Sequence, residues 1–227
     1  MIKDARDLGR GGLAYAVNAC SRTHALCGSY ETANALLDEA IAWADEKDSM
    51  FWKGLVSATK GWVFALSGKT SDAVEMITST IAAWRLTGST VTMPTLLSGL
   101  AIAYADLGQF DNAWRTIDDA MAAIETTKEK LWEAEVHRIG GEIALKSPDP
   151  DTKKSQEYFE RALAVARQQQ AKSWELRAAM SLARLWRDQG KSRQARELLA
   201  LVYGWFTEGL DTRDLKEAKA LLEELRT

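Results

Sequence analysis

Gly68-Lys69-Thr70 has the ending of a phosphate-binding loop, in which backbone amides cradle the phosphate, the lysine neutralises it and the hydroxyl holds a magnesium ion. The full loop needs a glycine five residues ahead of Gly68, where Val63 stands, and a strand in front of it. Gly61–Ser67 has helical spacing instead, so Gly68 reads as a turn. The two histidines, His24 and His137, lie more than a hundred residues apart, and no His-x-x-x-His or Cys-x-x-Cys pair of the kind that holds zinc is present. Spacing alone leaves a Ser/His/Asp arrangement open, but no Gly-x-Ser-x-Gly elbow presents a nucleophile. Glu133, Glu135 and Glu142 offer carboxylates for general acid–base work. Glu135 and Arg138 are three apart, however, and Arg138 and Glu142 four apart, spacings that neutralise opposite charges along one helix face. Cys20 and Cys27, seven apart, would share a face about 10 Å apart on a helix. That is too far for a disulfide, and both are expected as small buried hydrophobes. No catalytic, metal or cofactor site is assigned, and the chain is read as a binding protein rather than an enzyme.

The elements that would carry these residues are helices. Of three prolines, two (Pro148 and Pro150) fall in one short segment; alanine is abundant and β-branched runs are scarce. Hydrophobic residues make up 46% and charged residues 27%, ordinary for a globular chain. No apolar run approaches the roughly 20 residues that span a bilayer. The start, Met1-Ile-Lys-Asp-Ala-Arg-Asp7, lacks the apolar core of a signal peptide. A cytoplasmic location without a membrane partner is therefore expected. The net charge of −3 gives no general attraction to nucleic acid. The basic stretch 171–200, with seven Lys/Arg against three Asp/Glu, carries no aromatic ladder on which bases could stack.

A unit of about 40 residues recurs. The small residues Ala33, Ala73, Ala113, Ser155 and Ala195 step by 40, 40, 42 and 40. Gly28, Gly68, Gly108 and Gly190 stand five residues before their small residue, and the Pro148–Pro150 segment replaces the fourth glycine. Leu37, Ile77, Ile117, Phe159 and Leu199 follow four after the small position, and Ala40, Thr80, Ala120, Ala162 and Val202 three later. Trp52, Trp132 and Trp174 hold one further position and are expected in the core, while Trp43, Trp84 and Trp114 are expected at contacts within hairpins. Spacings of 3, 4 and 7 make helical stripes. The glycine adopts positive φ and lets the chain reverse, Ser29, Thr70 and Asp111 suit helix N-caps, and the small residue lets two helices approach. A single such hairpin cannot bury its apolar face; stacked hairpins can.

These offsets resemble the tetratricopeptide repeat (TPR) family. The unit from Leu97 through Gly99, Leu100, Ala101, Tyr104, Gly108, Ala113 and Ile117 to Ala120 matches the signature at nearly every position. The period exceeds the family's usual length of about 34, which helices longer by about one turn each would explain. HEAT repeats also run near this length but do not need the Gly-Ala-Ala offsets. The resemblance implies an all-α, right-handed superhelical solenoid of five TPR-like hairpins plus a C-terminal capping helix. An N-terminal segment over 1–11 marks a domain boundary and suggests a piece of a longer protein. Repeats follow over 12–210 (about 12–48, 50–88, 92–127, 129–169 and 171–206), then the capping helix in 211–227. The paired helices are expected near 12–27 with 30–46, 50–67 with 70–87, 92–107 with 110–126, 129–146 with 152–169, and 171–189 with 192–205.

In that family the first helix of each hairpin lines a concave groove. Counting back from each turn assigns to it Tyr15, Asn18 and Arg22; Leu55, Ala58 and Trp62; Thr95, Ser98 and Ile102; Glu135, Arg138 and Glu142; and Arg177, Ser181 and Arg184. Of these, Tyr15, Asn18, Arg22, Trp62, Ser98, Glu135, Arg138, Glu142, Arg177, Ser181 and Arg184 are the candidate partner-binding residues. The arginines offer planar donor forks for carboxylate or phosphate, and Trp62 an apolar anchor. The family's Lys/Asn carboxylate clamp is not reproduced.

Three segments, Glu133–Glu142, Leu176–Gly190 and Tyr203–Lys219, resemble the C-terminal repeats of bacterial signalling proteins in which a class III adenylate/guanylate cyclase or other effector precedes a STAND-type ATPase. The resemblance implies a regulatory or scaffold role, with a peptide or partner protein held in the groove; the alternative is a small-molecule effector sensed between Trp62 and the arginine end. An uncapped first hairpin would also favour a homo-oligomer.

Overall fold

The computed structural model describes residues 10–46, 48–90 and 92–226. Among them are eleven α-helices and one short 3-10 turn, and no strand. In chain order the helices are α1 (Arg10–Leu26), α2 (Tyr30–Glu46), α3 (Met50–Leu66), α4 (Thr70–Thr87), α5 (Met93–Asp106), α6 (Phe110–Thr127), α7 (Glu133–Lys146), α8 (Thr152–Gln168), α9 (Lys172–Asp188), α10 (Ser192–Tyr203) and α11 (Arg213–Glu224). Of the N-terminal segment, 1–9 lies outside the described residues, and Arg10 and Gly11 already belong to α1.

The helices end in one recurring way. Gly28, Gly68, Gly108 and Gly190 all have φ between 73° and 83°. At each, the following amide donates to the carbonyl five residues back, as Gln109 does to Tyr104 at 2.8 Å and Lys191 to Trp186 at 2.8 Å. This left-handed cap satisfies carbonyls that the helix leaves open and turns the chain sharply. A second set, not marked by glycine alone, stands midway between these: Asp48, Gly88, Lys128 and Gln170 also have positive φ. Ser49 donates to Ala44 at 2.9 Å and Ala171 to Ala166 at 2.9 Å in the same pattern. A left-handed residue thus closes a helix about every twenty residues. The Pro148–Pro150 segment is the exception: there the Asp151 amide reaches back to Ala144 at 3.0 Å, and its carboxylate caps α8 by accepting from the Lys154 amide at 2.8 Å.

The stripes read from the sequence are the core. Each small residue of the series and each larger residue four on is buried, as are Trp132 and Trp174, whose ring centroids lie 5.0 Å apart. Trp84 packs against Gly54, within the α3/α4 hairpin. Three expectations are corrected. Cys27 is exposed and Cys20 half-buried, because they fall at the end and flank of α1 rather than on its inner stripe. Trp52 is only half-buried. Thr70 and Asp111 begin the first turns of α4 and α6 rather than capping them; Lys69 holds the cap position of α4 without a side-chain bond.

The chain forms two compact units, 1–116 and 117–227, the boundary falling inside α6. In the first, α1/α2 and α3/α4 pair as hairpins, and the first helices α1, α3 and α5 pack on one another in order. Gly99 of α5 permits this approach, since a Cβ there would lie 3.0 Å from Trp62 Cδ1 and 3.4 Å from Ile77 Cδ1. In the second unit the pairs are α7/α8 and α9/α10, and α7, α9 and α11 pack in order. Leu215, Ala218 and Leu221 seat α11 in a core shared with α8, α9 and α10. In the same unit α7 comes close on α8: a Cβ at Gly141 would come within 2.4 Å of Phe159 Cε1.

Two stability changes of opposite sign follow at the left-handed turns. Gly190→Ala should lose about 1 kcal/mol, and Gln170→Gly should gain a comparable or smaller amount, because only glycine takes positive φ without steric cost; urea unfolding of each variant measures this. Gly141→Ala should lose about 1–3 kcal/mol by forcing Phe159 out of its rotamer, and adding Phe159→Leu should recover part of that loss.

Candidate functional site

The positions assigned from the repeat lie on the first helices of both units but do not share one environment. In the first unit the layer is mostly closed. Asn18, Leu55, Ala58, Thr95 and Ser98 are buried, and Trp62 is 1% exposed beneath α5. Ser98 turns its hydroxyl inward to the Thr95 carbonyl at 2.7 Å. The idea of Trp62 as an exposed anchor is therefore corrected: Gly99 brings α5 down onto the indole. Asn18 and Ser98 are likewise out of reach, because α1, α3 and α5 meet over small polar residues. Tyr15 is 67% exposed, while Arg22 and Ile102 are half-buried.

In the second unit the assigned residues come together as a ladder of ions. Glu135, 3% exposed, takes two bonds from the Arg138 guanidinium, at 2.8 and 2.9 Å, on the three-residue spacing. Arg138 also donates to Glu142 at 3.0 Å, and the Ser181 hydroxyl, from α9, donates to the same Glu142 oxygen at 2.7 Å. Arg177 of α9 reaches Glu135 at 3.4 Å on one side and Asp214 of α11 at 2.6 Å on the other. Arg184 donates to Glu217 of α11 at 3.1 Å, and Arg187 to Glu224 at 2.7 Å. Glu142, Arg184 and Glu217 keep side-chain exposures of 44%, 40% and 37%.

Electrostatics grade this ladder from inside to outside. Burial acts to raise the Glu135 carboxyl, but the Arg138 and Arg177 guanidiniums outweigh it and hold the group below its ordinary range. Glu175 is held low in the same way, against its burial, by Lys172 at 2.6 Å and Arg167 at 2.9 Å, a clamp that joins α8 to α9. On the other face of α7, His137 meets the Tyr158 ring at 6.1 Å between centroids, and both its ring nitrogens are buried without a hydrogen-bond partner. Burial, and then the nearby Arg161 charge, lower it to about 4. A histidine so placed stays neutral at ordinary pH and is poorly suited to take up a proton near neutrality.

Sequence reasoning placed Glu135, Arg138, Glu142, Arg177, Ser181 and Arg184 on one layer but missed Asp214 and Glu217, which answer the arginines. The signal was present: partners lie close to one period apart, as Glu142 and Ser181 (39) and Arg177 and Asp214 (37) do, so α11 takes the place of a sixth first helix. Among the described residues no helix is long and apolar enough to cross a membrane, and no group of three or more His, Cys, Asp or Glu side chains could hold a metal ion.

No family model and no curated protein matches this chain. Among solved structures it is similar to a Podosopora anserina protein assigned as a kinesin light chain with nearly identical TPR-like repeats. Against that protein the TM-score is 0.54 at 16% identity, over 92% of this chain and 95% of that one. A point variant of the same Podosopora anserina protein gives 0.56 at 18% identity, over 84% and 92%. At these identities the likeness is one of fold: this chain has a TPR-like repeat fold.

The ladder predicts a graded response. Arg138→Met, which leaves buried Glu135 without its main partner, should cost about 3 kcal/mol or more, whereas Arg184→Met at the exposed end should cost under about 1 kcal/mol. Acidification should act in two stages. His137, lowered from 6.5, contributes stability that is complete above pH 6.5 and is lost as pH falls towards about 4. Glu135, lowered from 4.5, contributes stability complete above pH 4.5 and lost below it. A urea midpoint series against pH should flatten in the upper window for His137→Phe and in the lower window for Glu135→Gln.

Proposed function

We propose that this chain is a non-catalytic interaction and regulatory domain that holds a peptide or partner protein along its first-helix layer. The observation that carries the reading is the ladder on α7, α9 and α11. Its inner members are locked by mutual hydrogen bonds, and its outer members, Glu142, Arg184 and Glu217, alternate in sign while remaining more than a third exposed. Charges fixed in this way lose little freedom on binding and can select a partner by complementary sign. TPR-like repeats in general serve as surfaces for protein association, which supports the same reading. The context proposed for the domain is the cytoplasmic sensor or scaffold part of a cyclase/ATPase signalling protein, as the resemblance of Tyr203–Lys219 suggests.

In the first unit Tyr15 is exposed and Arg22 half-buried, and any self-association through α1 would show as a mass that rises with concentration in light scattering. The burial of Trp62 inside the helix layer argues against its holding a small-molecule effector.

The reading is tested by affinity capture from native cell extract with the wild-type chain and with the exposed-charge variant Glu142→Lys/Arg184→Glu, which spares Glu135 and Arg138. The variant should melt within a few degrees of wild type and lose the captured partner. Equal capture by a folded variant would rule out this surface.

A further inference from the structure

The second hairpin carries a feature that the first-helix layer does not explain. A groove of about 700 Å3 runs between α3 and α4. Gly54, Ser57 and Phe64 line it from α3, and Met76, Ser79 and Ala83 from α4. None of these is among the positions assigned to the partner-binding layer. At its mouth stand Met50, 79% exposed, and Phe51, also exposed. Large apolar side chains left in water beside a groove mark a surface that other molecules cover.

The α7/α8 hairpin is filled differently at the corresponding place. Gly61 against Ile77 and Gly141 against Phe159 are matching contacts, one in α3/α4 and the other in α7/α8. Counting from them, Ser57 matches His137, Met76 matches Tyr158, Ser79 matches Arg161 and Ala83 matches Val165. In α7/α8 the ring of His137 and the ring of Tyr158 meet at 6.1 Å across this place. In α3/α4 serine and methionine stand there, and the space between the helices is left empty. The groove in α3/α4 thus lies where four side chains differ from those of α7/α8.

Charge says what fits. Asp72 and Glu75 line the α4 side of the groove, both exposed, and neither has an ion-pair partner among the described residues. Of the lysines nearby, Lys53 is tied to Asp45 at 2.6 Å and Lys60 to Asp38, while Lys69 stands over the Phe64 ring at 5.1 Å and offsets one of the two charges, leaving the groove one negative charge in excess. The occupant therefore carries apolar side chains into the groove and a positive charge beside them. Its backbone is constrained too. The groove walls are helices whose amides and carbonyls are bonded within themselves, so no strand edge is offered, which favours a segment that satisfies its own backbone, as a helix does. From Asp72 to Ala83 the groove follows α4 for about 16 Å, or three helical turns. Methionine lining adapts to differing side-chain shapes.

We propose that the α3/α4 groove is a second docking site, for an amphipathic helix of a partner protein that presents large apolar residues at three- and four-residue spacing with Lys or Arg on the flank facing Asp72 and Glu75. The groove is built from residues of the first unit and the ladder from residues of the second, so its failure and that of the function proposed above are separate results.

The test uses the whole chain labelled with 13C at its six methionine methyl groups. The probes are two synthetic helical peptides of about 16 residues, sharing one leucine stripe and differing only in a Lys or a Glu flank. The Lys peptide should move the Met50 and Met76 signals and leave Met93, Met121 and Met180 in place, and the Glu peptide should bind about tenfold more weakly. Ser57→His/Ser79→Arg, which installs the residues of the fourth hairpin, should abolish the shifts. Asp72→Lys/Glu75→Lys should reverse the preference between the peptides. Equal binding of both peptides to the wild type, shifts at Met93, Met121 and Met180, or no shift at millimolar peptide would overturn the proposal without recourse to any variant. Met50 and Met76 signals that move with protein concentration alone would overturn it in favour of a second copy of the chain.

Discussion

A helix that must end in a left-handed turn about every twenty residues sets the geometry on which the rest depends. The turn at Gly28, Gly68, Gly108 and Gly190 reverses the chain inside a hairpin, and the turn at Asp48, Gly88, Lys128 and Gln170 reverses it again between hairpins. Two reversals return a helix to the same side of its stack. First helices therefore fall into one layer within each unit, α1 with α3 and α5, and α7 with α9 and α11. Residues one period apart are brought into contact by this return, although nearly forty residues separate them in sequence.

What each layer does with that contact differs between the units. Where the meeting residues are small, as at Asn18, Ala58 and Ser98, the helices close and the polar groups disappear inside. Where they are long and charged, as at Glu135, Arg138 and Arg177, the helices are held by ion pairs that are themselves largely buried. Desolvation penalises such a ladder, and only near-complete pairing offsets the penalty; Glu135, with bonds from two arginines, meets that condition. A layer built this way is held in place by its own ion pairs.

Much of this was legible in the sequence. The series at 33, 73, 113, 155 and 195 and the residues four and seven beyond it are all buried, because small-then-large spacing is a direct consequence of two helices in close approach. The groove positions were legible as a layer but not as an environment. Whether Trp62 points at water or at α5 depends on Gly99, thirty-seven residues on, and helical periodicity sees only one helix at a time. The alternate turns escaped notice because Asp48, Lys128 and Gln170 take a conformation that glycine usually advertises. The α3/α4 groove was hidden for a related reason: a void is made by what neighbouring helices lack, and Ser57, Ser79 and Ala83 are unremarkable one at a time.

Contact between residues about one period apart is what makes a first-helix layer, and the Arg177–Asp214 bond, 37 residues apart and 2.6 Å long, is its most direct instance. A double-mutant cycle with Arg177→Met and Asp214→Asn, followed by urea unfolding, isolates that pair. A favourable coupling of about 1–3 kcal/mol is predicted. Additive losses, with coupling under about 0.3 kcal/mol, would contradict the layer that joins α9 to α11.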